Sequence, residues 1–197
     1  MRSNIESLSD AELLGVLVGV RTATHLLRDA SGSLSQLLHT PAPVTYVQPQ
    51  ASSKLMAAKE LVRRSLAEAM RQRDVLSSPQ VVRDYLRVAL AGYQREVFMA
   101  LFLDTRHRVI TSEELFRGTL DQTSVYPREV VKRTLEHNAA AVIFAHNHPS
   151  GVAEPSRADE MLTKTLRDAL AILEVRVLDH FVVAGNDVVS FAERGLV

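Results

Sequence analysis

The sequence contains no cysteine and no tryptophan, and its aromatic side chains are limited to six Phe and four Tyr among 197 residues. A chain without cysteine cannot form disulfides, thiolate zinc fingers or a cysteine nucleophile. So few aromatic rings also leave little material for a surface that stacks nucleic-acid bases. Disulfide-stapled scaffolds and cysteine hydrolases are therefore excluded.

An excess of charge of either sign is lacking too, because 23 Lys and Arg balance 23 Asp and Glu. A neutral chain has no global attraction to nucleic acid or to anionic membranes. No apolar run approaches the roughly 20 residues that a membrane span requires. Residues 1–10 are polar and acidic, unlike a signal peptide. We therefore expect a cytoplasmic protein that does not bind membranes.

The first third of the chain is predicted to be a small all-α region. Ser9 and Glu12 have the spacing of a capping box at the start of one helix. Further helices are predicted at 21–29 and 34–39, followed by an extended connection at 41–50 that contains three prolines. A long amphipathic helix is predicted at 54–73. Its apolar face would comprise Leu55, Ala58, Leu61, Val62, Leu66 and Ala69.

The opposite face of the helix predicted at 54–73 is basic. A solvated surface is the ordinary interpretation of such a face. DNA binding is the alternative, and reversing the charges of Arg63 and Arg64 would distinguish the two. The charged residues of this segment are Lys54, Lys59, Arg63, Arg64, Arg71 and Arg73, against Glu60 and Glu68.

The rest of the chain is predicted to be a second domain in which strands and helices alternate. The stretch 74–79 is the best boundary, so the predicted domains are 1–73 and 76–197. The alternation favours an α/β chain of α+β type, in which a mixed β-sheet is flanked by helices. Strands are predicted at 96–103, 108–116, 141–145, 175–184 and 188–191, and helices at 79–91, 127–137 and 156–173.

The segment HNHPSG places His146 and His148 at the end of the strand predicted at 141–145. Side chains two apart on a strand share one face, so both imidazoles can reach one ion. Asp159 follows in the first turn of the next predicted helix. Two His and one carboxylate are typical of a catalytic zinc site, which leaves a fourth position open.

Ser156 and Asp159 also have the spacing of a capping box, and this structural interpretation is an alternative to a site role. Both interpretations can hold together, because a serine can cap a helix and still face a site. Hydrolysis also needs a group that moves protons. Glu96 is the candidate, since a carboxylate at the start of a buried strand is costly without a partner.

The other histidines carry weaker signals. His25, His39, His107 and His137 occur in helix or turn contexts and are predicted to be surface residues. Asp179-His180 begins an apolar strand segment, DHFVVAG. The ordinary interpretation is a hydrogen-bonded structural pair, and support of the metal ligands is the alternative.

The residues Glu96, His146, His148, Ser156 and Asp159 together resemble the JAMM motif of the JAB/MPN-type metalloproteases. Over roughly 76–197 the chain resembles more narrowly the bacterial RadC-like family. That resemblance rests on REVF at 95–98, LD at 103–104, GTL at 118–120, PRE at 127–129, HNHPSG at 146–151, PS at 155–156 and LDH at 178–180. The segment LSDAELL at 8–14 resembles the family's N-terminal helical region.

The resemblance implies a JAB/MPN metallohydrolase domain that cleaves peptide or isopeptide bonds. His146, His148 and Asp159 would bind one zinc ion per chain. Glu96 would hold the metal-bound water as general base and then acid, and Ser156 would hydrogen-bond the developing oxyanion. A peptide or protein is the substrate that this implies.

Relatives carry a Gly-containing helix-hairpin-helix in the N-terminal region, whereas the corresponding residues 46–50 here contain no glycine. Such hairpins use glycine so that backbone amides can approach a phosphate. The resemblance therefore implies a degenerate region that is only like a helix-hairpin-helix. Relatives are also labelled as DNA-repair factors, so the alternative function is DNA binding through the N-terminal helices or a metal-dependent nuclease.

Overall fold

The computed structural model describes residues 5–34, 37, 49–90, 92–118 and 125–197. Contacts within the chain group residues 1–64 and 65–197 into two units. The predicted division into 1–73 and 76–197 stays a prediction. None of the described helices is both long and apolar enough to cross a membrane.

The first unit is helical, as predicted. A 3₁₀ turn at Ile5–Ser7 precedes helix α1 (Asp10–Val18) and helix α2 (Val20–Asp29). The capping box of Ser9 and Glu12 is confirmed, because each side chain bonds the other residue's backbone amide. A small apolar core holds the unit together and comprises Leu14, Ala23, Leu26, Ala30, Leu37 and Leu55. The helix predicted at 34–39 lies largely outside the described residues.

Helix α3 spans Pro49–Gln72, longer than the predicted 54–73. The extended connection predicted at 41–50 is wrong at 49–50, since proline is tolerated in the first turn of a helix; residues 41–48 lie outside the described part. The predicted apolar face is only partly buried. Leu55 is buried, but Leu61 and Val62 are exposed by 68% and 51%. The apolar period predicted the helix but did not predict how much of its apolar face is buried.

The second unit contains a five-stranded mixed sheet in the order β2-β1-β3-β4-β5. Strands β3 and β4 pair in parallel and the other neighbours pair antiparallel. The predicted α+β class is confirmed. The strands are β1 (Val97–Leu103), β2 (Val109–Arg117), β3 (Ala141–Asn147), β4 (Arg176–Ala184) and β5 (Asp187–Ser190). The helices are α4 (Pro79–Leu90), α5 (Pro127–Glu136) and α6 (Arg157–Ala171), with 3₁₀ turns at Val75–Ser77 and Ala192–Arg194.

The helices cover both faces of this sheet. Strands β1 and β3 are buried along their whole length, as expected of uninterrupted apolar runs. Alternate residues of β1 point to opposite faces. Met99 and Leu101 pack with α4, whereas Phe98 and Ala100 pack with residues of α5 and α6. The second face also carries His146.

Small differences from the predicted bounds affect the site. Strand β3 continues two residues beyond the predicted Ala145, so His146 lies within the strand and not after it. The extension is stabilised by pairing with β4, whose register includes Asn147 and Val183. The sequence favours a loop or a short strand at 118–126, and residues 119–124 of this stretch lie outside the described part of the chain.

Candidate metal centre

His146 and His148 lie on one face, as the period of a strand predicts. His146 is almost fully buried in β3, and His148 follows directly, with its backbone amide donating to Val183 O at 2.8 Å. The two Nε2 atoms are 2.9 Å apart. The sheet therefore brings two imidazole nitrogens to one point at the carboxyl end of β3.

Asp159 reaches the same point from the first turn of α6. Its Oδ1 lies 3.3 Å from His146 Nε2, and its Oδ2 lies 3.6 Å from His148 Nε2. Burial alone would raise the pKa of Asp159, but the adjacent rings of His146 and His148 and the Ser156 hydroxyl outweigh it and lower that pKa well below its usual range. The carboxylate is therefore ionised beside the two rings, and the three residues form a group able to hold a metal ion.

The capping box at the start of α6 is present as well. Ser156 Oγ accepts from the Asp159 amide at 3.2 Å, and the Ser156 amide donates to Asp159 Oδ2 at 2.7 Å. The Ser156 hydroxyl also donates to Oδ2 at 2.6 Å. The structural interpretation of this pair is confirmed, and the cap also holds the carboxylate in the orientation that faces His146 and His148. The site role of Ser156 stays a prediction.

The His148 ring is oriented by a backbone carbonyl. Its Nδ1 lies 2.8 Å from Val152 O, and because a carbonyl only accepts, Nδ1 carries the hydrogen. In the neutral ring Nε2 then presents a lone pair toward His146 and Asp159. In the charged ring Nε2 carries a hydrogen instead, and its hydrogen bond to Asp159 raises the pKa of His148 although burial opposes it.

Glu96 immediately precedes β1 and is half-buried. The antiparallel register that pairs Phe98 with His146, continued by two residues, places Glu96 opposite His148 and on the same face. Burial raises the pKa of Glu96, the nearby Asp159 charge raises it further, and His146 and His148 oppose both effects. A carboxyl with a raised pKa thus lies beside the cluster.

Asn147 lies between the two histidines and holds the segment that carries Glu96. Its Oδ1 accepts from the Val97 amide at 2.8 Å. Its Nδ2 donates to the Arg95 and Tyr93 carbonyls at 3.0 and 3.3 Å. The peptide groups on both sides of Glu96 are therefore tied to β3. The spacing of the candidate ligands did not predict this role, although an amide placed between two of them was a signal.

The Asp179 carboxylate accepts a hydrogen bond from the His180 backbone amide at 2.7 Å, but the two side chains otherwise contact different neighbours. Asp179 accepts from the Ser190 hydroxyl and from the Ala192 amide, and its burial raises its pKa. The His180 ring is fully buried, and its Nε2 lies 2.9 Å from His146 Nδ1. The structural interpretation therefore fits Asp179, whereas His180 contacts a candidate ligand.

Thr163 was not identified from the sequence, although it follows Asp159 by one helical turn. Its Oγ1 lies 2.6 Å from His180 Nδ1 and donates to Asp159 O at 2.6 Å. Burial lowers the pKa of His180 well below its ordinary value. Thr163 and His180 thus fill the space between two candidate ligands with neutral hydrogen-bonding groups.

Among the described residues, the other histidines, His25, His107 and His137, do not reach this cluster. His25 is exposed, as predicted. His107 and His137 are only partly exposed, because His107 bonds Arg176 and His137 bonds Glu113 and packs on Phe102. The surface prediction therefore holds only in part for these two. His39 lies outside the described residues.

A five-stranded mixed sheet flanked by helices, with a His-His-Asp group at the end of its central strand, is consistent with a JAB/MPN fold. The model of the RadC-like JAB domain matches residues 76–196. The chain is 56% identical to a UPF0758 protein of Nitrosomonas eutropha over 96% of its length and 90% of the relative's. It is 57% identical to a UPF0758 protein of Methylibium petroleiphilum over the same shares. The protein belongs to the RadC-like JAB domain family, as predicted.

Proposed function

We propose that this protein is a zinc-dependent hydrolase that cleaves peptide or isopeptide bonds. The observation that carries the proposal is the convergence of His146 Nε2, His148 Nε2 and the Asp159 carboxylate at one point beside Glu96. Membership in a JAB domain family supports a metal-dependent hydrolase. The names of the relatives state no activity or substrate.

The donor set suits zinc. Ligand atoms held about 2.0–2.1 Å from a tetrahedral zinc ion lie about 3.3–3.4 Å from one another. The separations among the two nitrogens and the nearest carboxylate oxygens are 2.9, 3.3 and 3.6 Å and so scatter around that value. Two imidazoles and one carboxylate are also the usual donors of catalytic zinc, with one position left open.

In this proposal His146, His148 and Asp159 hold the zinc, which would supply Lewis acidity when bound. Glu96 moves protons, first as base and then as acid. Its raised pKa suits that role, because a catalytic acid or base works best when its pKa approaches the working pH. The bonds of Asn147 on both sides keep its backbone in place while the carboxyl acts.

Ser156 is proposed to donate a hydrogen bond to the oxyanion that develops on the substrate carbonyl. In the structure its hydroxyl donates to Asp159 Oδ2, so serving the substrate requires rotation about its side-chain bond. The Ser156 amide also donates to Oδ2. That contact keeps Asp159 oriented when the hydroxyl turns away.

Peptide cleavage is favoured over cleavage of DNA by two features. Phosphodiester hydrolysis more often uses two metals with additional carboxylates, and this cluster contains one ligand carboxylate and Glu96. The basic face of α3 is partly neutralised, because Glu60 forms hydrogen bonds with both Arg63 and Arg64. DNA binding by the N-terminal helices stays an untested alternative.

The test is Glu96→Gln, which keeps the size of the side chain and removes its ability to exchange a proton. We expect it to retain zinc and to lose about 10²–10⁴-fold of the hydrolytic rate. The substrates are a mixture of protein-derived peptides and a set of ε-lysyl isopeptides, with new amino termini counted by mass spectrometry. Glu68→Gln, an exposed carboxylate of α3, is the matched control. Cleavage by Glu96→Gln at the wild-type rate, or cleavage that resists metal chelation, would overturn the proposal.

A further inference from the structure

A continuous run of hydrogen bonds connects one candidate ligand to another through residues outside the cluster. His146 Nδ1 lies 2.9 Å from His180 Nε2, and His180 Nδ1 lies 2.6 Å from Thr163 Oγ1. The Thr163 hydroxyl completes the run by donating to Asp159 O at 2.6 Å. The run therefore begins on the ring of one ligand and ends on the backbone of another.

The direction of every hydrogen bond in this run follows from the last bond, between Thr163 and Asp159 O. A carbonyl oxygen only accepts, so the single hydrogen of the Thr163 hydroxyl is committed to Asp159 O. Thr163 Oγ1 must then accept from His180, which places the hydrogen of that ring on Nδ1. His180 is fully buried among Phe98, Phe144 and Phe191, where a charged ring would be costly. A neutral His180 with a hydrogen on Nδ1 has only a lone pair on Nε2.

We propose that Thr163 and His180 are positioning residues that lock His146 in the tautomer with hydrogen on Nδ1 and a lone pair on Nε2. Because His180 Nε2 can only accept, His146 Nδ1 must donate. The free lone pair of His146 then faces His148 and Asp159, 2.9 Å from His148 Nε2. Its use for binding a metal rests on the proposed function, whereas the tautomer itself does not.

The fixed tautomer of His146 matches that of His148, which also carries its hydrogen on Nδ1. That ring is fixed by Val152 O, a backbone carbonyl that no substitution removes. His146 has no such carbonyl at hydrogen-bonding distance among its described partners. Its partner is the neutral ring of His180, whose Nε2 could either accept or donate. The hydrogen bond between His180 Nδ1 and Thr163 fixes which of these two directions is formed. Reversal would place a hydrogen on His146 Nε2, between the ligand atoms, and would block coordination.

The tautomers of His146 and His180 are measured first in protein stripped of metal, so that the result does not depend on the proposed function. Long-range ¹H–¹⁵N spectra of the imidazoles should show His146 and His180 both with hydrogen on Nδ1. In Thr163→Val, which keeps the shape and removes the hydroxyl, His180 should lose this preference and the pair should populate the reversed direction. Thr163→Ser restores the hydroxyl and should restore the wild-type pattern. Hydrogen on Nε2 of either ring in the wild type would overturn the inference.

Zinc affinity, measured by competition with a chromophoric chelator, gives the second readout. Thr163→Val should bind zinc about 10–100-fold more weakly than the wild type, the usual effect of removing a partner that orients a metal ligand. Thr165→Val is the matched control, because Thr165 lies on the same helix and makes the same bond to a carbonyl four residues earlier, Met161 O at 2.9 Å, but is exposed. It should bind zinc as the wild type does.

Equal affinities of Thr163→Val and Thr165→Val would overturn the inference. A wild type that binds no zinc would overturn the proposed function instead, and the tautomers of the metal-free protein would then decide the inference alone. The far-ultraviolet circular dichroism of Thr163→Val shows whether the variant is unfolded or is folded with a changed His146 tautomer. If that variant does not fold, the wild-type tautomers and the affinity of Thr163→Ser decide.

Discussion

Asn147 ties the segment before β1 to the end of β3, and replacing it with alanine tests how strongly. The substitution removes the acceptor of the Val97 amide and the donor to the Tyr93 and Arg95 carbonyls. Each such bond contributes about 1 kcal/mol, and a buried amide left without an acceptor costs about 1–3 kcal/mol more. Val97 is fully buried, whereas the two carbonyls can recover water. The loss is therefore the Val97 bond plus the cost of its unpaired amide, and we expect Asn147→Ala to lower the free energy of unfolding by about 2–4 kcal/mol.

The assay is urea unfolding followed by circular dichroism, with the slope of the transition checked against the wild type. Gln80→Ala is the matched control, since Gln80 is an exposed amide whose bond to Asp84 lies on the surface of α4. Its effect should stay within about 0.5 kcal/mol. A loss of less than about 1 kcal/mol in Asn147→Ala would refute the account of Asn147 as the residue that fixes the segment around Glu96.

Two further predictions concern the ligands and the core. The pKa of His148 is raised above its ordinary value of 6.5, so protons already compete with zinc for this ring at a pH above 6.5. Asp159, whose pKa is lowered, stays ionised over the same pH range. Zinc affinity in a chelator competition should therefore fall about tenfold per pH unit below the His148 pKa; a flat profile from about pH 7.5 to 5.5 would contradict this. Leu166→Ala, at a fully buried position packed in the cluster around Phe144, should cost about 2–5 kcal/mol in urea unfolding. Leu135→Ala, exposed by 57%, should cost little, and equal losses would count against the assigned core.

Much of the second unit could be predicted from the sequence, because its central strands are short apolar runs bounded by polar residues. Strands β1 and β3 were predicted this way, and Pro79 and Pro127 marked the starts of α4 and α5. Predicted bounds were less accurate where pairing decides them. Strand β3 continues through Asn147 because its neighbour β4 offers partners, and the sequence of β3 alone does not contain that information.

The burial of helix α3 could not be predicted from its periodicity. Leu55 and Met70 enter the apolar cores of the first and second unit, respectively, whereas Leu61 and Val62 between them stay exposed. The helical period assigns residues to a face, but the partner along that face is set by the tertiary fold. Helix propensity and the apolar pattern depend on neighbouring residues in the sequence, whereas burial depends on residues that are distant in the sequence.

The site divides in the same way. The spacing of His146 and His148 on a strand, and of Ser156 and Asp159 at a helix start, predicted which atoms converge. The contacts that orient them could not be predicted, because Thr163 and His180 are brought together only by the packing of α6 on β4. Local spacing predicts the candidate ligands, whereas the groups that fix their tautomers come from distant parts of the chain.

The central claim is that His146, His148 and Asp159 hold one zinc ion, and elemental analysis of purified protein tests it most directly. Zinc should be close to one per chain in the wild type and close to none in His148→Ala. His25→Ala is the matched control, because His25 is exposed on α2, and it should retain the wild-type content. The same zinc content in all three proteins, or no metal in the wild type, would contradict the account.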